Sequence, residues 1–235
     1  MSDNKVIQLD IKEPDFAVAE AINTLRTNII FSGEDIKTIT LTITFPAEGK
    51  SYISFQLAKS FTDINKRVVY VDCDLRKSVT RSRYNIRGRL GGLSEYISGQ
   101  NSDLIYSTNV EGLYMVLSGH LVPKPLEMLQ SRRFKAMLEI LREKFDYVIL
   151  DAPPLGSVVD ASIIAQQVDG AIFVVRFDAV GRTEAIRAKK QLEKSGGRIL
   201  GVALNGVGTH RGTYYYKYAS SYKNYYKSDD GNEKE

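Results

Sequence analysis

The sequence predicts an α/β fold, a mostly parallel central sheet with helices on both faces, and three observations predict it. Short apolar runs, Val-Val-Tyr-Val at 68–71, Tyr-Val-Ile-Leu at 147–150, Ile-Phe-Val-Val at 172–175 and Leu-Gly-Val-Ala-Leu at 200–204, read as strands buried on both faces. Segments with helical spacing of apolar residues alternate with these runs. Two of the runs lead straight into Asp residues, and ligands in such sheets collect at the carboxyl ends of the strands.

The elements follow in order. Residues 1–15 read as a flexible leader, and Ile22, Leu25 and Ile29 recur at helical spacing within a first helix over 19–30. Ile39, Leu41 and Ile43 alternate with Thr38, Thr40 and Thr42, a strand pattern that runs directly into Thr44-Phe-Pro-Ala-Glu-Gly-Lys50-Ser51. A helix over 50–61 and a strand over 67–71 come next. A long variable region then extends through Gly119 before a helix over 126–145, a strand over 147–150 and a helix over 161–167. A strand over 171–175, a helix over 183–195 and a strand over 199–204 complete one domain spanning 16–208. Residues 209–235 read as a mobile tail.

Composition sets bounds on function. A net charge of +4 with 26% charged residues describes a mildly basic chain, compatible with phosphate ligands or an anionic membrane face. A single cysteine, Cys73, excludes an internal disulfide framework and any multi-thiolate metal site. With only His120 and His210, a histidine zinc site is not expected. No apolar run has the length of a membrane span and the start lacks a signal-peptide stretch, so the expected location is the cytoplasm.

Three segments carry chemistry. The loop ending Gly49-Lys50-Ser51 sits between a strand and a helix, where backbone N–H groups and a helix N-terminus cradle phosphates. Lys50 adds a point charge and the Ser51 hydroxyl a Mg²⁺ ligand. It departs from the G-x-x-x-x-G-K-[ST] pattern in having Thr44 at the first glycine position, and it predicts a P-loop NTPase fold. In Val71-Asp72-Cys73-Asp74-Leu75-Arg76, strand geometry places Asp72 and Asp74 on one face. The two acids are suited to holding Mg²⁺ or accepting a proton, and Arg76 to stabilising charge on a transferred phosphoryl group. Asp151, after the second run, is placed as a second metal-orienting acid, with Pro153 and Pro154 stiffening the exit. Each segment alone also fits a plain turn; their shared order on strand ends argues for a site.

The end of the chain carries seven of its fourteen tyrosines: Tyr214, Tyr215, Tyr216, Tyr218, Tyr222, Tyr225 and Tyr226. No Leu, Ile or Val follows Val207, so the segment has little with which to offset its ordering entropy. A terminus of biased composition accounts for it if taken alone. The sparse Arg and Lys interleaving argues against a nucleic-acid platform, and no nucleic-acid partner is expected.

These segments together resemble the bacterial tyrosine kinases of capsule and exopolysaccharide synthesis, in the form whose transmembrane activator is a separate chain. The likeness runs from about residue 16 to 226. It includes the helix Glu20-Ala-Ile-Asn-Thr-Leu-Arg26-Thr-Asn28, the loop Pro46 to Ser51, the Asp72–Arg76 segment, Pro125-Leu-Glu-Met-Leu, Phe145 through Pro154, Leu204-Asn205-Gly206-Val207 and the tyrosine tail. The resemblance implies a protein-tyrosine kinase using ATP and Mg²⁺. It places Asp72, Asp74, Arg76 and Lys50 in catalysis. Pro46, Ala47, Glu48, Gly49, Lys50, Ser51, Tyr52 and Asn205 fall to nucleotide binding, with Asn205 near the adenine, and Ser51, Asp74 and Asp151 to the metal. It makes Asp72 the base for the tyrosine hydroxyl and the tail tyrosines its substrate in trans. Glu20 and Arg26 would link subunits of a ring when unphosphorylated. A polysaccharide co-polymerase type of activator would bring the kinase to the inner face of the membrane.

Two departures stand out. Ala47 occupies a position usually held by Gly, and a Cβ penalises positive φ; Asn23 replaces the first arginine of a Glu-x-x-Arg-x-x-Arg pattern. Two other readings share the fold: an ATPase switch of the division-site or partition type, which would favour an amphipathic C-terminal anchor, and a catalytically weak nucleotide-binding scaffold. Phosphorylation of all seven tail tyrosines would add on the order of ten negative charges and is expected to drive subunits apart.

Overall fold

A computed structural model describes residues 6–101, 103–156 and 159–207. The tail tyrosines Tyr214 to Tyr226 lie outside these described residues. Within them, a seven-stranded sheet has the order β3-β4-β2-β5-β1-β6-β7. Its strands are β1 (Thr38–Ile43), β2 (Val68–Asp72), β3 (Tyr106–Ser107), β4 (Leu113–Val116), β5 (Tyr147–Asp151), β6 (Gly170–Arg176) and β7 (Ile199–Asn205). All neighbouring pairs are parallel except β3 with β4. The helices are α1 (Phe16–Phe31), α2 (Lys50–Thr62), α3 (Thr80–Arg83), α4 (Leu93–Ser98), α5 (Pro125–Leu129), α6 (Arg132–Lys144), α7 (Asp160–Ala165) and α8 (Arg182–Lys194).

Two apolar layers sandwich the sheet. On one face Ile39, Leu41, Val68, Tyr70 and Ile149 pack against Phe55 and Phe61 of α2, with Ile22 and Ile29 of α1 in the same cluster. On the other, Val69, Val71, Val148 and Leu150 meet Phe134 and Leu141 of α6, together with Ala161 and Leu192. The threonines of β1 are buried as well as its isoleucines, because β1 is central. Their hydroxyls are satisfied locally: Thr40 Oγ1 donates to the Leu150 carbonyl at 3.3 Å and Thr42 Oγ1 to that of Pro153 at 3.0 Å.

Most expected elements are present within a residue or two. Four differ. The leader packs from Ile7 onward: Ile7 and Leu9 are buried, Ile7 bridges to Thr108, and the Leu9 N–H donates to Asn109 Oδ1 at 2.9 Å. An apolar segment beside an open strand edge covers it, which supplies the burial that a loose leader lacks. The variable region contains β4, a buried parallel strand beside β2, and the short β3. The helix expected over 126–145 is two, because Ser131 caps a new start, its Oγ accepting from the Phe134 N–H at 3.2 Å. Finally, β7 is an edge strand with Val202 and Leu204 more than half exposed, so it is not buried on both faces.

Candidate nucleotide and phosphoryl-transfer site

β1 delivers the loop and α2 receives it. Gly49, at φ 91°, is the N-cap of α2 and offers no capping side chain, which leaves the first helical N–H groups to an outside acceptor. A Cβ at Gly49 would lie 2.2 Å from Asn205 Nδ2, so the position requires glycine for space as well as for φ. Ala47 does adopt positive φ, 70°, the conformation in which its methyl group is a cost. Glu48 is buried and braces the turn: Oε1 accepts from the Phe45 N–H at 2.5 Å, and Oε2 from the Arg176 N–H at 3.1 Å. Arg176 Nη1 returns a bond to the Ala47 carbonyl at 3.1 Å. Asn205 Nδ2 donates to the Glu48 carbonyl at 2.7 Å, so Asn205 stands against the loop itself. Thr44 Oγ1 is buried without a hydrogen-bond partner among the described residues.

The strand register brings the acids together. Asp72 and Asp151 are opposed across β2 and β5, and both are buried. Lys50 Nζ lies 2.5 Å from Asp151 Oδ1 and 3.3 Å from Ser51 Oγ, and Ser54 Oγ donates to Asp151 Oδ1 at 2.8 Å. Burial, and then the charge of Asp151, raise the Asp72 carboxyl from 3.8 to about 6, against hydrogen bonds from Ser78 and Thr80 and the opposing pull of Lys50. Asp72 accepts from Ser78 Oγ and, at 3.2 Å, from the Asp74 N–H. Cys73 is a buried thiol whose pKa burial raises well above its ordinary value, as fits a core filler.

One site expectation, the shared strand face, needs correction. Asp74 does not share a strand face with Asp72, because β2 ends at Asp72. Asp74 instead caps the following turn, its Oδ1 accepting from the N–H groups of Arg76 at 3.1 Å and Lys77 at 2.9 Å. Arg76 is engaged as well: its Nε and Nη2 form a fork with buried Asp160, at 2.7 and 3.1 Å. This fork ties the acid-bearing loop after β2 to the start of α7. Sequence reasoning missed Asp160, Ser78 and Ser54. Of these, Ser54 alone carried a signal, standing four residues after Lys50 and hence on the same helical face. At α1, Arg26 Nη1 donates to the Ser60 carbonyl near the end of α2, and Glu20 Oε1 accepts from Asn23 Nδ2 at 3.2 Å. Tyr52, half-buried on the first turn of α2, has its hydroxyl pKa raised mainly by burial.

Two carboxylates, one lysine and one serine, beside an uncapped helix start, suit a triphosphate with Mg²⁺. That ion takes one or two carboxylates, keeps water, and shares the phosphates. The opposed acids supply the negative field such a cation would relieve.

Known proteins resemble this chain in sequence and fold. An AAA domain matches residues 37–203. The chain is 39% identical to the tyrosine-protein kinase CpsD of Streptococcus agalactiae, over 89% of this chain and 90% of that one. Among solved structures, the kinase domain of Escherichia coli tyrosine kinase ETK superposes with a TM-score of 0.78 at 30% identity, covering 83% of this chain and 78% of that one. The chimerical protein CapA2B2 also gives 0.78, at 27% identity, covering 85% and 92%. The relatives favour the kinase over the ATPase-switch and scaffold readings. Within the AAA-domain family, the chain belongs to the bacterial tyrosine-protein kinases associated with capsule synthesis.

Proposed function

We propose that this protein transfers the γ-phosphoryl group of ATP to tyrosines in the C-terminal segment of a second copy, and so regulates capsular or exopolysaccharide synthesis. The observation that carries the reading is the register of Asp72 against Asp151 with Lys50 between the phosphate loop and both acids. Ser51, Asp74 and Asp151 are the residues that would hold Mg²⁺, which neutralises phosphate charge when bound.

The uncapped N–H groups of the loop and α2 bind the phosphates, and Lys50 turns from Asp151 to the β- and γ-phosphates. Asp72 accepts the proton of the incoming tyrosine hydroxyl as its oxygen bonds to the γ-phosphorus and the bond to the β-phosphate oxygen breaks, leaving ADP. A carboxyl raised to about 6 is a stronger base than an ordinary one. Its present bond from Ser78 occupies one oxygen, so the 76–79 segment must shift for the substrate to reach it. No helix among the described residues is long and apolar enough to cross a membrane, which fits recruitment by a separate transmembrane activator of the co-polymerase type.

Incubation of the full chain with ATP and Mg²⁺, with and without the cytoplasmic segment of a candidate activator, tests the reading by intact mass. Phosphate mapped to Tyr214 through Tyr226 is the expected result. Free phosphate with an unmodified chain under both conditions would overturn it. The ring reading is checked separately: light scattering should give a smaller assembly once the tail is phosphorylated.

A further inference from the structure

The sequence from Arg76 to Arg89 holds six cationic side chains and no carboxylate. It begins at the acid site, where the Lys77 N–H donates to Asp74, and runs outward to the β3 edge of the sheet. There, Asn85, residues 87–90 and residues 6–10 line a half-open cavity of about 620 Å³. Val6, Leu9 and Leu90 give it apolar walls, while Arg87 and Arg89 bring two guanidinium groups. Asp10 also lines it, so the arginines outnumber the acid two to one.

Both walls are fastened before any ligand arrives. Arg81 donates through Nη2 to the Gly88 carbonyl at 2.5 Å and through Nη1 to that of Leu90 at 3.5 Å, which holds the loop. The Asp10 N–H donates to the Tyr84 carbonyl at 3.1 Å, and the Ile7 N–H to that of Ser107 at 2.8 Å. Arg87 and Arg89 are exposed and unspent: Arg87 Nε reaches only Asn85 Oδ1, at 3.4 Å, and Arg89 makes no hydrogen bond or ion pair among the described residues.

An apolar wall beside two free guanidinium groups matches an aromatic ring that carries a dianion. We infer that this cavity takes a phosphorylated tyrosine from the tail of a second copy, and holds that tail while another of its tyrosines occupies the acid site. The inference rests on the tail-kinase reading above. Arriving from a second copy, the tail has to span only from the acid strands β2 and β5 to the β3 edge, two and three strands away, roughly 10–15 Å across the sheet at ordinary strand spacing. Its outermost tyrosines, Tyr214 and Tyr226, are 12 residues apart, an extended reach of roughly 40 Å, enough to bridge from one site to the other. Docking makes the enzyme add several phosphates to one tail before releasing it.

The test uses the full chain and synthetic peptides of residues 210–230, one unmodified and one phosphorylated at Tyr222 and Tyr225. Fluorescence anisotropy at 0.15 M salt should show the wild type binding the phosphopeptide at least tenfold more tightly than the unmodified peptide. R87E/R89E should lose that preference, and R87K/R89K should retain part of it. Thermal melting of each variant confirms that it is folded. With unphosphorylated chain in excess, the wild type should yield a few heavily phosphorylated molecules, whereas R87E/R89E should yield many singly phosphorylated ones at an unchanged rate for the first phosphate. Equal affinity of the wild type for both peptides overturns the inference, as does an undiminished preference in R87E/R89E. Arginine-dependent flotation on phosphatidylglycerol vesicles without phosphopeptide binding also overturns it, making the patch a lipid contact. The peptide assay needs no catalysis, so a chain that docks the phosphopeptide but transfers no phosphate would refute the kinase reading and leave the docking site standing.

Discussion

The middles of β1, β2 and β5 and the ground at and just past their carboxyl ends lie only a few residues apart and obey opposite rules. Ile39, Val69 and Ile149 are fully buried, apolar and unstrained, as interior strands under two helical layers require. Just beyond, Asp72 and Asp151 put two acids side by side out of water, Ala47 takes a backbone conformation suited to glycine, and Thr44 Oγ1 lacks a partner among the described residues. The contrast teaches that the interior holds the sheet while its rim keeps charges and strain in place for chemistry.

Removing the cation at the rim should have the largest effect. Lys50→Met leaves Asp151 beside Asp72 with no opposing charge, so we expect tail phosphorylation to fall on the order of a thousandfold or more and stability by about 3–5 kcal/mol. Intact mass and denaturant unfolding read the two effects.

Asp72→Asn should separate them. Transfer should drop roughly 100- to 10,000-fold, yet the protein should become more stable at pH 7.5. The sign follows from the raised carboxyl: ionising it in the folded state is disfavoured, a penalty absent below about 3.8, growing between there and about 6, and complete above. The full difference is at most about 3 kcal/mol. Melting curves of both proteins should therefore diverge at pH 7.5 and converge as the pH approaches 4. A gain independent of pH would break the account.

Ile39→Ala probes the interior alone. It should cost about 2–5 kcal/mol of stability while leaving transfer per folded molecule at low temperature unchanged. The smallest effect belongs to Ala47→Gly, which removes a methyl group from a backbone at φ 70°. About 1 kcal/mol of stabilisation is expected, a rise of roughly 2–4 °C in the melting midpoint. A lower midpoint would mean that the methyl group contributes packing that outweighs its strain.

Legibility in the sequence follows the same division. Central strands declared themselves through runs such as Val-Val-Tyr-Val, since burial on both faces leaves nothing but apolar residues. β4 has only four residues inside a region rich in turns, too short for periodicity to register. The break between α5 and α6 hides because the apolar spacing continues across Ser131, and a lone serine reads equally as a surface residue. Val202 and Leu204 looked buried because edge position is a property of topology, which local composition does not encode. At the site, Lys50, Asp72 and Asp151 were readable from loop and strand-end patterns. The Arg76–Asp160 fork joins residues 84 apart in sequence, and no pattern pairs them.

Asn205 grips the phosphate loop from the last residue of β7, and in the sequence the first tail tyrosine, Tyr214, follows nine residues later. The strand that leads into the tail is thus fastened to the very turn that would cradle ATP. A pull on the end of β7 therefore reaches that turn through a single side-chain hydrogen bond. Fuel and cargo hang from one hook.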